Sequence, residues 1–373
     1  MVSRSRTAGD VLALVRKDPA MRARMKAVAE ATPTKLVLVH DGVVHQDRME
    51  TPGAPWKRYI ERGTALAWLA SRPTVLHALR AARCVIVTGT DQAPLLPEIV
   101  RAKDGVRRAV VYVAGDDVNL GRHAAIRLER EARIVAVSTK VVAVSEKLAD
   151  LLAARHGFPR SDVLVSRNAV ARDLVPDVVP AAPAPLPAGL PASFQRPVVG
   201  VLGTISSRLR LDWIRAALDN VPELRWLFVG NVEEYELAIE DRAVLRDLVR
   251  HPRCAFVGPV SHRTLSEYAR AVDLAAMPYS GTSVNPVGSP TRLFLQLPYG
   301  QPIVASDSCA QFDEFRDVVR VESDVAGFVR ALRELVGASF DDGLREARWR
   351  LARRHTWTER ARPIAEMIDA LVA

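Results

Sequence analysis

Between Val175 and Pro197 the chain reads VPDVVPAAPAPLPAGLPASFQRP, a run dense in proline and alanine. Proline removes a backbone donor and locks φ, so neither an ordinary helix nor a central sheet strand passes through such a run. Residues 171–196 therefore break the pattern of the chain, and 176–196 read as a semi-rigid linker. On both sides of the break, strands alternate with helices. Before it, strand-like runs fall at 35–40, 84–87, 109–113, 141–144 and 163–165, with helical stretches at 74–82, 93–103, 120–136 and 145–156. After it, strands are expected at 198–202, 226–229, 254–257, 274–277, 303–305 and 318–321. Helices there are expected at 208–218, 244–250, 265–271 and 290–298, and near 323–336, 341–354 and 357–372. Such alternation implies βαβ units and parallel sheets, hence an α/β chain with two doubly wound domains. At 373 residues the length suits two domains. The expected division is 1–175, the linker 176–196, 197–355, and a last helix over 356–373. That helix carries the apolar stripe Trp357, Ile364, Met367, Ile368 and Leu371, and it is expected to pack back on the first domain.

Composition narrows the function. Lys and Arg number 52 against 43 Asp and Glu, a net charge of +9 with a sequence pI near 9.8. Nucleic acid, an anionic membrane face and an anionic ligand all fit that balance, as does a general habit of arginine use, because the basic residues are spread along the chain. The aromatic content of 6% is low for a base-stacking platform, so no nucleic-acid partner is expected. Cys84, Cys254 and Cys309 lie far apart without metal-ligand spacing, which argues against a disulfide framework or a zinc site and for a reducing cytoplasm. The N-terminus is basic but lacks the apolar region of a secretory signal. No run approaches the ~20 apolar residues of a spanning helix. Residues 8–30 read as a basic surface helix. Its narrow apolar side favours solvation over lying on a membrane, although peripheral contact with an anionic membrane stays open.

The stretch 279–307, YSGTSVNPVGSPTRLFLQLPYGQPIVASD, has the strongest site character. A turn-rich loop leads into a short helix with Pro at its start, Gly300 suits its end, and a buried strand follows. Helix N-termini favour phosphate, and Arg292 on the first turn adds a donor fork for phosphate oxygens. The alternative is an ordinary helix start with a solvated arginine. His40, at the end of the first strand, faces a ligand or merely finishes the strand. Asp116 and Asp117 follow a strand in a turn, either as catalytic acids or as a helix cap with a solvated neighbour.

In the second half, GVLGTISSRLRLDWI, FVG, FVGPVSHRTLSEYARAVDLAAMPY and SPTRLFLQLPYGQPIVASD resemble, in order and spacing, the segments of GT-B glycosyltransferases. The match is to the bacterial type that builds surface polysaccharides, including glucuronosyltransferase-like and teichuronic-acid members. VVYVAGDD, AVSEKLADLL and SRNAV resemble first-half segments of the same family, and the likeness covers about residues 80–372. The resemblance implies two Rossmann-like domains facing across a cleft. It also implies transfer of a sugar from a nucleoside-diphosphate donor, UDP- or GDP-linked, to a glycan, lipid-linked or small-molecule hydroxyl. No cofactor and no metal is implied, and no Asp-X-Asp motif is present.

Residue by residue, the resemblance puts Arg292 on the donor diphosphate, with Ser289 and Thr291 beside it. Gly203 and Thr204 would lie against the phosphate or sugar, and Gly258 and Val260 by the base. Arg208, Gly230, Tyr279 and Asn285 would complete the donor side. Asp116 or Asp117 stands for the general base and His40 for the acceptor side. Three positions depart from the family. Leu295 and Gln296 replace the acid that usually follows its KLF segment and commonly holds a ribose. Ala169 replaces a glycine, and Val113–Gly115 lack the first aspartate of a YD pair. A catalytically inactive homologue that binds a glycan or partner is the alternative, and a nucleic-acid binder is a third reading.

Overall fold

The computed structural model describes residues 2–5, 10–13, 36–39, 79, 82–101, 108–120, 124–191, 194–282 and 284–373. His40, most of the expected helix over 8–30 and the loop expected at 43–65 lie outside these residues. The chain divides into two compact units, residues 1–168 with 357–373, and residues 169–356.

The first unit holds a seven-stranded sheet in the order β2-β1-β3-β4-β5-β6-β7. Its strands are β1 (Val2–Ser5), β2 (Asp10–Ala13), β3 (Leu36–Val39), β4 (Cys84–Val87), β5 (Ala109–Ala114), β6 (Lys140–Ala143) and β7 (Val163–Val165). Strands β3 to β7 pair parallel, whereas β1 runs antiparallel to both β2 and β3. The β2 pairing corrects the helix expected from residue 8. A short apolar run fits either period, and the ladder from Val2↔Ala13 to Ser5↔Asp10 settles it as strand. β4 and β5 are buried along their whole length, as Val- and Ile-rich parallel strands covered on both faces are. Two helices follow β5 and β6: α1 (Ala124–Val137) and α2 (Glu146–His156). Ser145 starts α2 by accepting the Leu148 N–H at 3.0 Å, and Gly157 ends it at φ +72°, a left-handed turn suited to glycine.

The second unit is a six-stranded, all-parallel sheet in the order β10-β9-β8-β11-β12-β13. Its elements in chain order are β8 (Val198–Leu202), α3 (Leu211–Asn220), β9 (Arg225–Val229), α4 (Ile239–Arg250), β10 (Cys254–Gly258), α5 (His262–Ala271) and β11 (Leu274–Met277). Then come α6 (Thr291–Gln296), β12 (Ile303–Ser306), β13 (Arg320–Glu322), α7 (Val325–Gly337) and α8 (Arg345–Arg354). Trp226, Phe228, Phe294, Phe312 and Phe328 are fully buried in its core. The proline-rich stretch belongs to this unit. Leu186, Leu190 and Phe194 pack against Val198, Leu202, Leu227 and Val229, and the Ala184 N–H donates to the Arg270 carbonyl at 2.8 Å. Proline spaced by leucine thus gives a fixed strap, because apolar side chains in the run have a surface to cover.

The chain then returns to the first unit as α9 (Trp357–Val372). Ala361, Ile364, Ile368 and Val372 pack on Cys84, Ile86, Val111, Val113 and Val142. Between these strand positions, Tyr112 points to the other face, where its hydroxyl meets Glu131 of α1.

Two outcomes follow from this packing. Ile364 is completely buried, so Ile364→Ala is expected to cost about 2–5 kcal/mol. Urea unfolding followed by tryptophan fluorescence and circular dichroism should show an earlier transition for the first unit and an unmoved one for the second. Burial also pushes the Cys84 thiol up to about 12 and the Cys309 thiol up to about 11. Thiolate is the reactive form, so at pH 8 neither should react with Ellman's reagent until denaturant is added. Rapid native labelling of either one would contradict this.

Candidate functional site

Numbered within its own unit, the second sheet has the strand order 3-2-1-4-5-6, and the order reverses between β8 and β11. In open parallel sheets of this kind a crevice forms at that point, beyond the carboxyl ends of the strands. Three glycines occupy this edge: Gly203 after β8, Gly230 after β9 and Gly258 at the end of β10. Their φ angles are +99°, +150° and +79°, where residues with a Cβ are strained. The Gly203 N–H donates to the Val229 carbonyl at 2.8 Å, and the Gly230 N–H to the Gly258 carbonyl at 2.9 Å. A Cβ on Gly230 would stand 2.2 Å from the Gly203 carbonyl oxygen, so backbone meets backbone here.

Arg292, in the first turn of α6, lies over this edge and is only 8% exposed, so it is not a solvated surface arginine. Its Nη2 donates to the Thr204 carbonyl, and its Nε would be 3.0 Å from a Cβ on Gly203. The guanidinium carbon sits 5.4 Å from the centroid of the Tyr279 ring, a cation–π contact. Burial pushes the ionisation of Arg292 down, the Tyr279 hydroxyl draws it up, and Arg208 pushes it down again. A guanidinium remains charged at neutral pH through such shifts. Among the described residues no carboxylate pairs with it, and the groups that act on its ionisation are Tyr279 and Arg208; its Nη1 is buried with no hydrogen-bond partner among them. A buried charged donor left unmatched is costly, and an arriving anion would remove that cost. In a helix of six residues, this charge outweighs the axial dipole in setting the local potential.

The loop after β8 is tied to the loop after β11. The Arg210 N–H donates to the Pro278 carbonyl at 2.7 Å, and Leu209 bridges Tyr279. The Ser280 N–H reaches the Arg208 carbonyl at 2.9 Å, and the Ser280 hydroxyl reaches the Ser207 carbonyl at 2.8 Å. Asn285 is buried, and its amide donates to the carbonyls of Arg208 at 2.8 Å and Ser280 at 2.9 Å. Asn285 therefore holds the backbone that carries Arg208, whose own side chain is exposed. Thr291 is exposed, Thr204 and Ser289 are half-buried, and Val260 packs at the margin of an apolar cluster. Leu295, where the resemblance leads to an acid, is buried in that same cluster with Val198, Leu202 and Leu227.

In the first unit, β5 runs into Asp116 and Asp117. Asp116 is exposed. Asp117 accepts from Arg155 Nη2 at 2.6 Å and from the Asn119 N–H at 3.0 Å. Arg155 also pairs with Glu131 at 2.9 Å, and Glu131 accepts from the Tyr112 hydroxyl at 2.9 Å and lies 3.1 Å from His156 Nε2. Sequence reasoning missed Glu131, Arg155, Tyr112 and His156. One signal was available: Glu131 stands three residues before Ile134, on the buried side of α1. Among the described residues no group of three or more His, Cys, Asp or Glu gathers as a metal site would require.

No family profile matches the chain. A Bacillus subtilis protein named for teichuronic acid biosynthesis, the glycosyltransferase TuaH, is 26% identical over 163 residues. That match takes in 43% of this chain and 40% of TuaH, so the chain spans about two fifths of the length of the curated relative it matches. Among solved structures, a glycosyltransferase of Rickettsia africae has a TM-score of 0.64 at 11% identity, covering 94% of this chain and 93% of that one. HepE of Anabaena, solved with UDP and glucose, scores 0.62 at 15% identity, covering 90% and 100%. The sucrose-phosphate synthase of Thermosynechococcus elongatus scores 0.62 at 15%, covering 87% and 82%. These likenesses show the fold, two Rossmann-like α/β domains of the GT-B architecture.

The idle Nη1 of Arg292 gives a direct test. Replacing buried ionic groups by well-packed apolar side chains of similar volume is often neutral or stabilising. Arg292→Met, without ligand, should therefore unfold in urea within about 1 kcal/mol of the parent or above it. A loss of several kcal/mol would mean that Arg292 is a structural residue.

Proposed function

We propose, on the premise of a GT-B fold, that the protein moves a sugar from a nucleoside-diphosphate donor to a hydroxyl of a glycan, a lipid-linked or a small-molecule acceptor. One observation carries this reading: a buried arginine, without a carboxylate partner among the described residues and with a spare N–H, at the glycine-lined edge where the strand order reverses. In the reaction the bond from the sugar's anomeric carbon to the phosphate oxygen breaks, and negative charge grows on the leaving diphosphate. Arg292 meets that charge in a site where it is worth more than in water, and the exposed Arg208 adds a second cation. Gly203, without a side chain, lets the phosphates approach the backbone. A carboxylate of the Asp116–Asp117 turn takes the proton from the acceptor hydroxyl as its oxygen attacks. With two arginines neutralising the leaving group, this reading needs no metal.

HepE, solved with UDP and with UDP-glucose, supports a uridine donor over a guanosine one. Among the described residues no helix is long and apolar enough to cross a membrane. The reading places the reaction in the cytoplasm, at the inner membrane face when the acceptor is lipid-linked. The burial of Leu295 in an apolar cluster favours a second reading, a binding protein without transferase activity, because no acid is available at that position.

A donor panel separates the two readings. UDP is expected to raise the melting temperature of the parent protein by several degrees, and at least one UDP- or GDP-sugar should be turned over. Arg292→Met should lose that thermal shift and most of the turnover. Binding of nucleotide without turnover of any donor would favour the binding-protein reading. Arg292→Met binding UDP as tightly as the parent would overturn the site.

A further inference from the structure

We propose that the open cavity between the proline-rich stretch and α5 is a second binding site, and that it takes a polyhydroxylated molecule with an acid group at each end. Arg263 and Arg270 hold the two acid groups, and Glu267 and Asp173 accept hydroxyls between them. This inference goes beyond the transferase reading and stands whether or not any donor is turned over, since none of these residues belongs to the candidate donor site.

The stretch crosses α5 as a pinned arch. At one end the Trp349 indole N–H donates to the Pro176 carbonyl at 2.9 Å, and at the other the Ala184 N–H donates to the Arg270 carbonyl at 2.8 Å. Arg196 fixes the second end, pairing with Asp273 at 2.6 Å and donating to the Ala184 carbonyl. Between the pins lies a cavity of about 970 Å³, near the upper end of the ~300–1,000 Å³ of small-molecule sites. Arg263, Ser266, Glu267 and Arg270 line it from α5, together with Tyr299 and Asp173. The four α5 residues are spaced i, i+3, i+4 and i+7, which is one face of a helix. The opposite face, with Leu265, Tyr268 and Ala269, packs in the apolar cluster of Val198 and Leu202. Burial of apolar surface is what usually holds a segment on a helix. Here the arch spans a charged face instead and leaves room above it.

Glu267 stands four residues after Arg263 and three before Arg270, the spacings at which helical ion pairs form. Among the described residues no such pair forms, and none joins Arg263, Glu267, Arg270 or Asp173 to any other charge. Four charges thus face one cavity with their bonding capacity open. The two arginines are seven residues apart, about 10 Å along the helix axis, and each fork suits a carboxylate or a phosphate. Glu267 and Asp173 are acceptors, suited to hydroxyls, and two acids in the same space repel a densely charged polyanion. Pro176, Pro180 and Pro185 on the arch have no N–H, so a peptide finds no donors there along which to add as a strand. They present C–H faces instead. Tyr299 is the aromatic residue of the lining and is buried, which leaves bases no platform to stack on. Burial pushes the ionisation of its hydroxyl up, hydrogen bonding to Ser266 and the charge of Arg270 draw it down, and Asp173 pushes it up again. That hydroxyl is therefore within electrostatic reach of Arg270 and Asp173 together. The ligand chemistry that meets all these groups has two separated acid groups with hydroxyls between them.

The test is calorimetry on the full chain with four probes. Digalacturonate and fructose 1,6-bisphosphate carry two acid groups, and galacturonate and fructose 6-phosphate carry one. At least one two-acid probe is expected to bind one to one, about tenfold or more tighter than its one-acid counterpart, the contribution of a hydrogen bond to a charged group. Which of the two binds assigns the acid group as carboxylate or phosphate. Arg263→Gln and Arg270→Gln should each weaken that binding by about tenfold or more. Both side chains are exposed, so neither exchange should move the melting temperature of the unliganded protein. Arg292→Met should bind the probe as the parent does, which separates this cavity from the candidate donor site. In the parent, the bound probe should slow amide exchange over residues 263–270, a readout that needs no variant. The proposal is overturned if neither two-acid probe binds, if the one-acid counterparts bind as tightly, or if both arginine exchanges leave binding unaltered. Failure to bind UDP or to turn over a donor bears on the transferase reading alone.

Discussion

The second unit depends on a contact between two peptide backbones. Gly230 lies so close to the Gly203 carbonyl that a single added carbon would collide with it. That closeness brings the loops after β8 and β9 together, so that Ile205 can bridge Val232 and take the Asn231 carbonyl at 2.8 Å. Gly203 itself carries no side chain, and Arg292 lies against it. The loop after β11 is then tied on from the other side through Ser280 and Asn285. A crevice at the point of strand reversal is a general property of such sheets. Here glycine stacking gives it a floor made of backbone.

Buried arginine serves two purposes in this unit, and the contrast between them is informative. Arg348 is 1% exposed and fully engaged: it pairs with Asp342 and donates to the carbonyls of Val318 at 2.8 Å and Gly300 at 3.2 Å. Such a residue ties elements together, and each of its three nitrogens has a partner. Arg292 is almost as buried, yet among the described residues it has an idle nitrogen and no acid paired with it. Stability alone would not select that state, since an unmet buried charge destabilises. Functional sites are where proteins tolerate such costs.

Much of the architecture was legible in the chain because its signals are local. Runs such as CVIV and AVVYVA state their own burial, and Ser145 and Gly157 mark both ends of α2 within a few residues. The alternation of strand and helix led directly to two doubly wound sheets. What stayed hidden depends on partners distant in sequence. The DVLA run could not declare itself a strand until Val2–Ser5 was found beside it. The proline-rich stretch lost its freedom to apolar neighbours on β8 and β9 that composition does not reveal. The same holds at the candidate site. That Arg292 is charged and follows a turn-rich loop is written in the sequence, but its burial over Gly203 comes from a residue far upstream. Asp116 and Asp117 look alike in a sequence, and the pairing of Asp117 with Arg155 comes from α2, far along the chain.

The return of α9 to the first sheet has a consequence for biosynthesis. Cys84, Ile86 and Val111 have α9 as their cover, and α9 is made only after residues 169–356. At translation speeds of roughly 5–20 residues per second, that face waits on the order of ten seconds or more on the ribosome. The second unit, whose core among the described residues draws on no segment after residue 356, can close during that interval. The half made first is therefore finished last, and its bare sheet is the surface that a nascent-chain chaperone would meet.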